Sequence, residues 1–144
     1  MYKHILIATD GSELAAKAVT TGLTLAKTLG AKVTAVNATE PWTAMVTGEA
    51  ALAFPIEEYE KSSAESAAKI LSEVSAAAQK QGVACETVHV NDFPAEAIIE
   101  TAKGRGCDLI VMSSHGRRGL ARVFLGSQAT RVLTLSAVPV LICR

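Results

Sequence analysis

The sequence predicts a single open α/β domain built on a parallel sheet. Three observations carry that prediction. Five short apolar runs recur along the 144 residues, and segments with apolar residues at helical spacing separate them. Both kinds of segment are apolar enough to be buried, as in a sheet covered by helices on both faces. Glycines follow the helical segments at Gly30, Gly82 and Gly104-Arg105-Gly106, where a chain leaves a helix.

The elements follow in order. The run 4-HILIA-8 is a buried strand that ends in Thr9-Asp10-Gly11-Ser12, with Ser12 or Asp10 as the cap of the next helix. Residues 13–29 place Ala15, Ala18, Val19, Gly22, Ala26 and Leu29 at helical spacing. Residues 33–38 form the second strand. Residues 39–57 are irregular, with Pro41, Trp42, Gly48 and Pro55. So long a connection in a compact domain is a lid, a binding element or a mobile segment. A helix over 58–81 lines up Ala64, Ala67, Leu71, Val74 and Ala78. Residues 85–90 are the third strand, and Asn91 to Pro94 turn the chain into a helix over about 95–104, with Pro94 suited to its first turn. Residues 108–112 are the fourth strand. A last helix over 127–136 puts Ala129, Val132, Leu133 and Ser136 on one side, and 139–143 is the fifth strand. With no linker, low-complexity segment or repeat, residues 1–144 read as one domain.

Composition narrows the class. The chain is 49% hydrophobic but only 4% aromatic, so its core is aliphatic. No apolar run is long enough to span a membrane, and Met1 to Leu6 lacks the pattern of a secretory signal, so a cytoplasmic protein with no membrane partner is expected. Cys85, Cys107 and Cys143 are widely spaced and read as reduced thiols without a metal. The net charge of zero hides an asymmetry. Residues 1–108 hold nine basic and all fourteen acidic residues, a balance of −5, whereas 109–144 carry Arg117, Arg118, Arg122, Arg131 and Arg144 and no acid. That separation reads either as one electropositive surface region or as arginines paired with acids elsewhere in the fold. No nucleic-acid partner is expected.

In open parallel sheets, ligands bind beyond the C-terminal ends of the strands, where the strand order reverses. Four segments meet that edge: 9–12, 38–57, 91–94 and 113–126. The last lies in 113-SSHGRRGLARVFLGS-127. Gly116 and Gly119 supply backbone freedom and close approach. Gly126-Ser127 opens a helix whose first amides and dipole favour an anion, and Ser127 adds a hydroxyl. Together they suit a di- or triphosphate. A glycine-rich turn with an ordinary helix cap is the plainer alternative. Asp10 fits a ribose hydroxyl, an adenine amino group, a phosphate-bound metal or a helix cap. His115 is the histidine near this edge, and no nucleophile or carboxylate is fixed beside it by spacing, so hydrogen bonding or ligand contact is its expected role. The chain has no P-loop, no GxGxxG after the first strand, no nucleophile elbow and no paired catalytic carboxylates. No catalytic residue is assigned; a slow ATPase or autokinase would have only His115 and Asp10 as candidate bases.

Four pieces, 5-ILIATDGSELA-15, 94-PAEAIIETA-102, 108-DLIVMSSHGRRGLARVFLGS-127 and 138-VPVLIC-143, resemble the universal stress protein family in order and spacing over nearly the whole chain. The resemblance implies strand order 3-2-1-4-5, the adenine nucleotide α-hydrolase-like arrangement. It also implies a homodimer paired through the last strand, 139–143. Many members bind ATP through Gly-x2-Gly-x9-Gly-[Ser/Thr]. Gly116, Gly126 and Ser127 match the later positions, whereas Ser113 stands at the first glycine. The implied adenosine contacts are Ala8, Thr9, Asp10 and Ala38. The other implied nucleotide contacts are Met112, Ser113, His115, Gly116, Arg117, Gly126, Ser127 and Gln128, with the backbone amides of Gly116, Gly126 and Ser127 on the phosphates, Arg117 or Arg118 screening their charge, and the Ser113 hydroxyl donating to a phosphate oxygen or to the ribose. Mg²⁺ or Mn²⁺ would accompany the phosphates. Asp92, where members often have glycine, is the second departure. The implied function is an ATP-binding regulator or switch in the stress response. The alternative is a dimeric interaction module with a vestigial, nucleotide-free site.

Overall fold

Strand β1 (His4–Ala8) runs through the middle of the sheet with nothing exposed from Ile5 to Ile7, because both of its faces are covered. In the computed structural model, which describes residues 1–116 and 125–144, β1 pairs in parallel with β2 (Lys32–Thr39) on one side and β4 (Leu109–Ser113) on the other. The outer strands are β3 (Cys85–Asn91) and β5 (Val140–Cys143), and the order is β3-β2-β1-β4-β5. Ile7 sits between Ala35 and Val111 in register. The order and the parallel sense are those expected.

Side chains of β1 alternate between two cores. Ile5 and Ile7 pack with Leu23, Ala26 and Val111 under α1 (Glu13–Leu29), with α2 (Ile56–Gln81) beside it. Leu6 packs with Val36, Ile98, Ile110 and Val132 under α3 (Pro94–Arg105) and α4 (Ser127–Leu135). Gly22 lets α1 sit hard against the sheet: a Cβ there would lie 2.6 Å from Ile7 Cδ1. Three helices end on a left-handed glycine, Gly30, Gly82 and Gly106, each donating its N–H back into the last turn. In the Gly104-Arg105-Gly106 group, Gly106 is therefore the stop.

Departures from the expected boundaries have local causes. Helix α2 starts at Ile56, two residues early, because Pro55 sits just outside it as the cap. Strand β4 starts after Asp108, whose carboxylate accepts the N–H groups of Lys3 (2.9 Å) and His4 (3.1 Å) and so ties the entry of β1 to that of β4. The 39–57 connection is not wholly irregular. It holds two 3₁₀ turns, Trp42–Ala44 and Gly48–Ala53, and a ring ladder in which Trp42 stacks on Phe54 at 5.8 Å and Phe54 meets Tyr59 edge-on at 5.7 Å. Tyr59 donates its hydroxyl to the Glu40 carbonyl at 2.5 Å, pinning the segment to the start of α2. On α4, Ala129 and Val132 are buried as expected, but Leu133 is 42% exposed. That helix is nine residues long and packs against α3 and β5 through a narrow face.

The opposite, N-terminal edge of the sheet contains a buried histidine. His4 Nε2 is hydrogen-bonded to Thr34 Oγ1 at 2.7 Å. Burial, then the charge of Lys32, hold the His4 pKa below the usual histidine value. A base whose folded pKa is depressed takes up its proton more readily when unfolded. Its contribution to stability is therefore complete above about pH 6.5 and declines as pH falls below that. The urea midpoint of the wild-type protein is expected to drop between pH 7.5 and pH 5.0. In His4→Gln that drop is expected to shrink; an equal drop in both proteins would refute the assignment.

Candidate functional site

The strand order reverses between β1 and β4, and the loops leaving their C-terminal ends meet there. The β1 loop is rigid for reasons visible bond by bond. Thr9 N–H donates to the Val36 carbonyl (3.0 Å), and the Thr9 carbonyl accepts from Asn37 Nδ2 (2.9 Å). Gly11 takes φ 79°, a left-handed angle that glycine adopts without strain, and its N–H donates to Thr9 Oγ1 (3.1 Å). Asp10 Oδ1 accepts from Ser12 N–H (2.9 Å), and Ser12 Oγ accepts from Ala15 N–H (3.1 Å). Of the two expected caps, Ser12 caps α1, while Asp10 orders the turn before it.

Across the gap, Gly116 faces Asp10. A Cβ built on Gly116 would lie 2.6 Å from Asp10 Oδ2. Of the two roles expected for Gly116, backbone freedom and close approach, the first is not used: neither Gly116 nor Gly126 has a positive φ angle. Close approach is what they provide. A Cβ on Gly126 would sit 3.0 Å from the Ser114 carbonyl oxygen and 3.4 Å from the His115 ring. The Gly126 N–H itself donates to the Ser114 carbonyl (2.9 Å). The Gly126 N–H is thus committed within the protein, and the amides after it begin the helix. Helix α4 has no side-chain cap among the described residues, and its first intrahelical acceptor, the Gly126 carbonyl, is taken by Thr130. The N–H groups of Ser127, Gln128 and Ala129 thus lack intrahelical acceptors.

The remaining expected site residues fall as follows. Ala8 is the last residue of β1 and Ala38 the next-to-last of β2, so both lie at the C-terminal edge of the sheet. Met112 is buried in the core under α3 and α4, so only its backbone is near the edge. Ser113 turns its hydroxyl onto the His115 carbonyl (2.7 Å). The His115 ring is held through Nδ1 by Ser114 Oγ (3.2 Å). Ser127 is exposed at the helix start, whereas the Gln128 side chain accepts from Ala95 N–H (3.0 Å) and so caps α3. Asp92 folds back onto Phe93 N–H (2.8 Å). Arg117, with Arg118, Gly119 and Arg122, lies outside the described residues. Arg131 pairs with Glu96 at 2.5 Å, as the reading of arginines matched to acids elsewhere anticipates for that residue.

Two residues that organise the site escaped the motif reading. Asn37 holds the Thr9 carbonyl, and Ser114 holds both Gly126 and the His115 ring. Each is a buried polar residue inside or just after an apolar strand, at 5% and 4% exposure, and that placement is the signal that marks it.

The family model of the universal stress protein family matches residues 1–144. The chain belongs to the universal stress protein family. The universal stress protein YxiE of Bacillus subtilis is 32% identical over the full length of both chains. Among solved structures, the universal stress protein UspA from Lactobacillus plantarum superposes with a TM-score of 0.88 at 23% identity, covering 99% of this chain and 98% of that one. A universal stress protein in complex with cAMP superposes with a TM-score of 0.72 at 25% identity, covering 99% and 97%. Two features of this chain bear on chemistry here. Among the described residues no group of His, Cys, Asp and Glu is arranged to hold a metal, and no helix is long and apolar enough to cross a membrane. The cysteines are unpaired, and burial pushes the thiols of Cys85 and Cys107 up, away from the reactive thiolate.

Proposed function

We propose that this universal stress protein binds ATP in the cleft between the β1 and β4 loops and works as a nucleotide-dependent regulator. The observation that carries the reading is the meeting of Asp10 with Gly116 at the switch point, with the start of α4, which has no side-chain cap among the described residues, following Gly126. The carboxylate of Asp10 and the backbone at Ala8, Thr9 and Ala38 suit the polar edges of an adenosine. The amides at Gly116 and at Ser127 to Ala129 suit the phosphates. A divalent ion, Mg²⁺ or Mn²⁺, would ride on the phosphates rather than in a protein-built site. The bound cAMP of the related structure supports an adenine nucleotide as the ligand class. A homodimer through 139–143 fits the fold. Strand β5 is an edge strand of this chain, and Leu141 on it is 38% exposed.

Two features bear on the vestigial-site alternative. The Ser113 hydroxyl is turned onto the loop's own backbone, and the 40–59 segment is anchored by its own rings. Neither needs the cleft to satisfy it. Titration calorimetry with ATP and with adenosine is expected to show binding of both, with ATP the tighter. No ATP affinity below millimolar would refute the proposal.

A further inference from the structure

Three consecutive peptide units leave the end of β4, and each is held by a different partner. Ser114 N–H donates to the Cys143 carbonyl (2.8 Å), which orients the 113–114 unit. The Ser114 carbonyl accepts from Gly126 N–H (2.9 Å), which orients the 114–115 unit. The His115 carbonyl accepts from Ser113 Oγ (2.7 Å), which orients the 115–116 unit. The first two bonds are main chain to main chain. The third hangs on one side chain, the Ser113 hydroxyl.

In a trans peptide the C=O and the following N–H point in opposite directions within one plane. No peptide bond described here is cis. Drawing the His115 carbonyl toward Ser113, which is 8% exposed, therefore sends the Gly116 N–H the other way. Gly116 is exposed and stands against Asp10, at the rim of the gap between the β1 and β4 loops. Were this unit to flip, a carbonyl with its partial negative charge would take the place of the amide, and the loop would repel an anion instead of holding it.

We propose that Ser113 is the positioning residue of the phosphate loop: its hydroxyl fixes the 115–116 peptide so that Gly116 N–H is presented to the polyphosphate of the bound nucleotide. The proposal rests on the nucleotide reading above. On this account, serine at position 113 fixes by a hydrogen bond a peptide that glycine would leave free.

The test uses the full chain as wild type, Ser113→Ala and Ser113→Thr. Each is titrated with ATP and with adenosine. The Gly116 amide is followed in ¹⁵N-resolved spectra without ligand. Losing one oriented amide is expected to weaken ATP by about tenfold in Ser113→Ala while leaving adenosine unchanged, since adenosine carries no phosphate. Ser113→Thr keeps a hydroxyl and is expected to recover most of the ATP affinity. The free Gly116 amide signal is expected to shift or broaden in Ser113→Ala and not in Ser113→Thr. Wild-type ATP affinity in Ser113→Ala would overturn the proposal, as would equal losses for ATP and adenosine, which would mark general damage to the fold. If the wild type binds no ATP, the nucleotide reading fails by itself. The Gly116 signal then decides the orienting role, and an unmoved signal in Ser113→Ala overturns it.

Discussion

Gly116→Ala is expected to lose ATP affinity by at least about tenfold while the protein stays folded. The added Cβ would be placed 2.6 Å from Asp10 Oδ2, a separation that real atoms do not tolerate. Either Asp10 or the Gly116 backbone must then move. Asp10 has little room to give, because its Oδ1 holds Ser12 N–H at the head of α1. Both the adenosine side and the phosphate side of the proposed cleft are disturbed by one methyl group. The cost to the fold is small because Gly116 is exposed and needs no left-handed backbone angle. Calorimetry with ATP and thermal melting of the same sample check this together. Undiminished ATP affinity would show that the Asp10–Gly116 contact does not shape the binding site.

Ile7→Ala is expected to destabilise the protein by about 2–5 kcal/mol, read from urea denaturation. Ile7 is fully buried at the centre of the sheet, between Ala35 and Val111 in register and beneath Gly22 of α1. Truncation leaves a void that the sheet cannot close, because both neighbouring strands hold its backbone in place. Since domains of this size are stable by only about 5–15 kcal/mol, the loss is a large share of the total. The contact with Gly22 adds a second, sharper test. Gly22→Ala alone forces Ile7 to shift and is expected to destabilise. In the Ile7→Ala background the same alanine fills part of the void, so the two changes are expected to be less costly together than their separate losses imply. Strict additivity would argue that α1 and β1 do not pack as closely as the geometry indicates.

The elements were legible where the local signal and the tertiary demand agree. The run Ile5-Leu6-Ile7 is buried on both faces, so it reads as a continuous apolar strand rather than an alternating one. The caps at Ser12, Gly30 and Gly82 follow from backbone chemistry within a few residues. The 39–57 segment was less legible. Its order comes from rings at Trp42, Phe54 and Tyr59, which meet only once the chain has turned, and no short-range period records that contact. Leu133 was misplaced for a related reason. Helical spacing shows which residues share a face, but not how much of that face a short helix covers.

The candidate site divides the same way. Residue types and spacing along the chain were enough to locate the loops at the C-terminal edge, because topology confines such sites to the ends of β1 and β4. The departure at position 113 came from the resemblance to the universal stress protein family, which the family model bears out over residues 1–144. How these groups bond to one another was decided only by the tertiary structure. The Asp10–Gly116 contact joins residues 106 positions apart in sequence, and the Gly126 amide proves to be spent on Ser114. The Gln128 side chain serves α3, and the Ser113 hydroxyl turns to its own loop. A hydrogen bond depends on direction and on tenths of an ångström. Sequence spacing constrains neither until the sheet has brought the loops together.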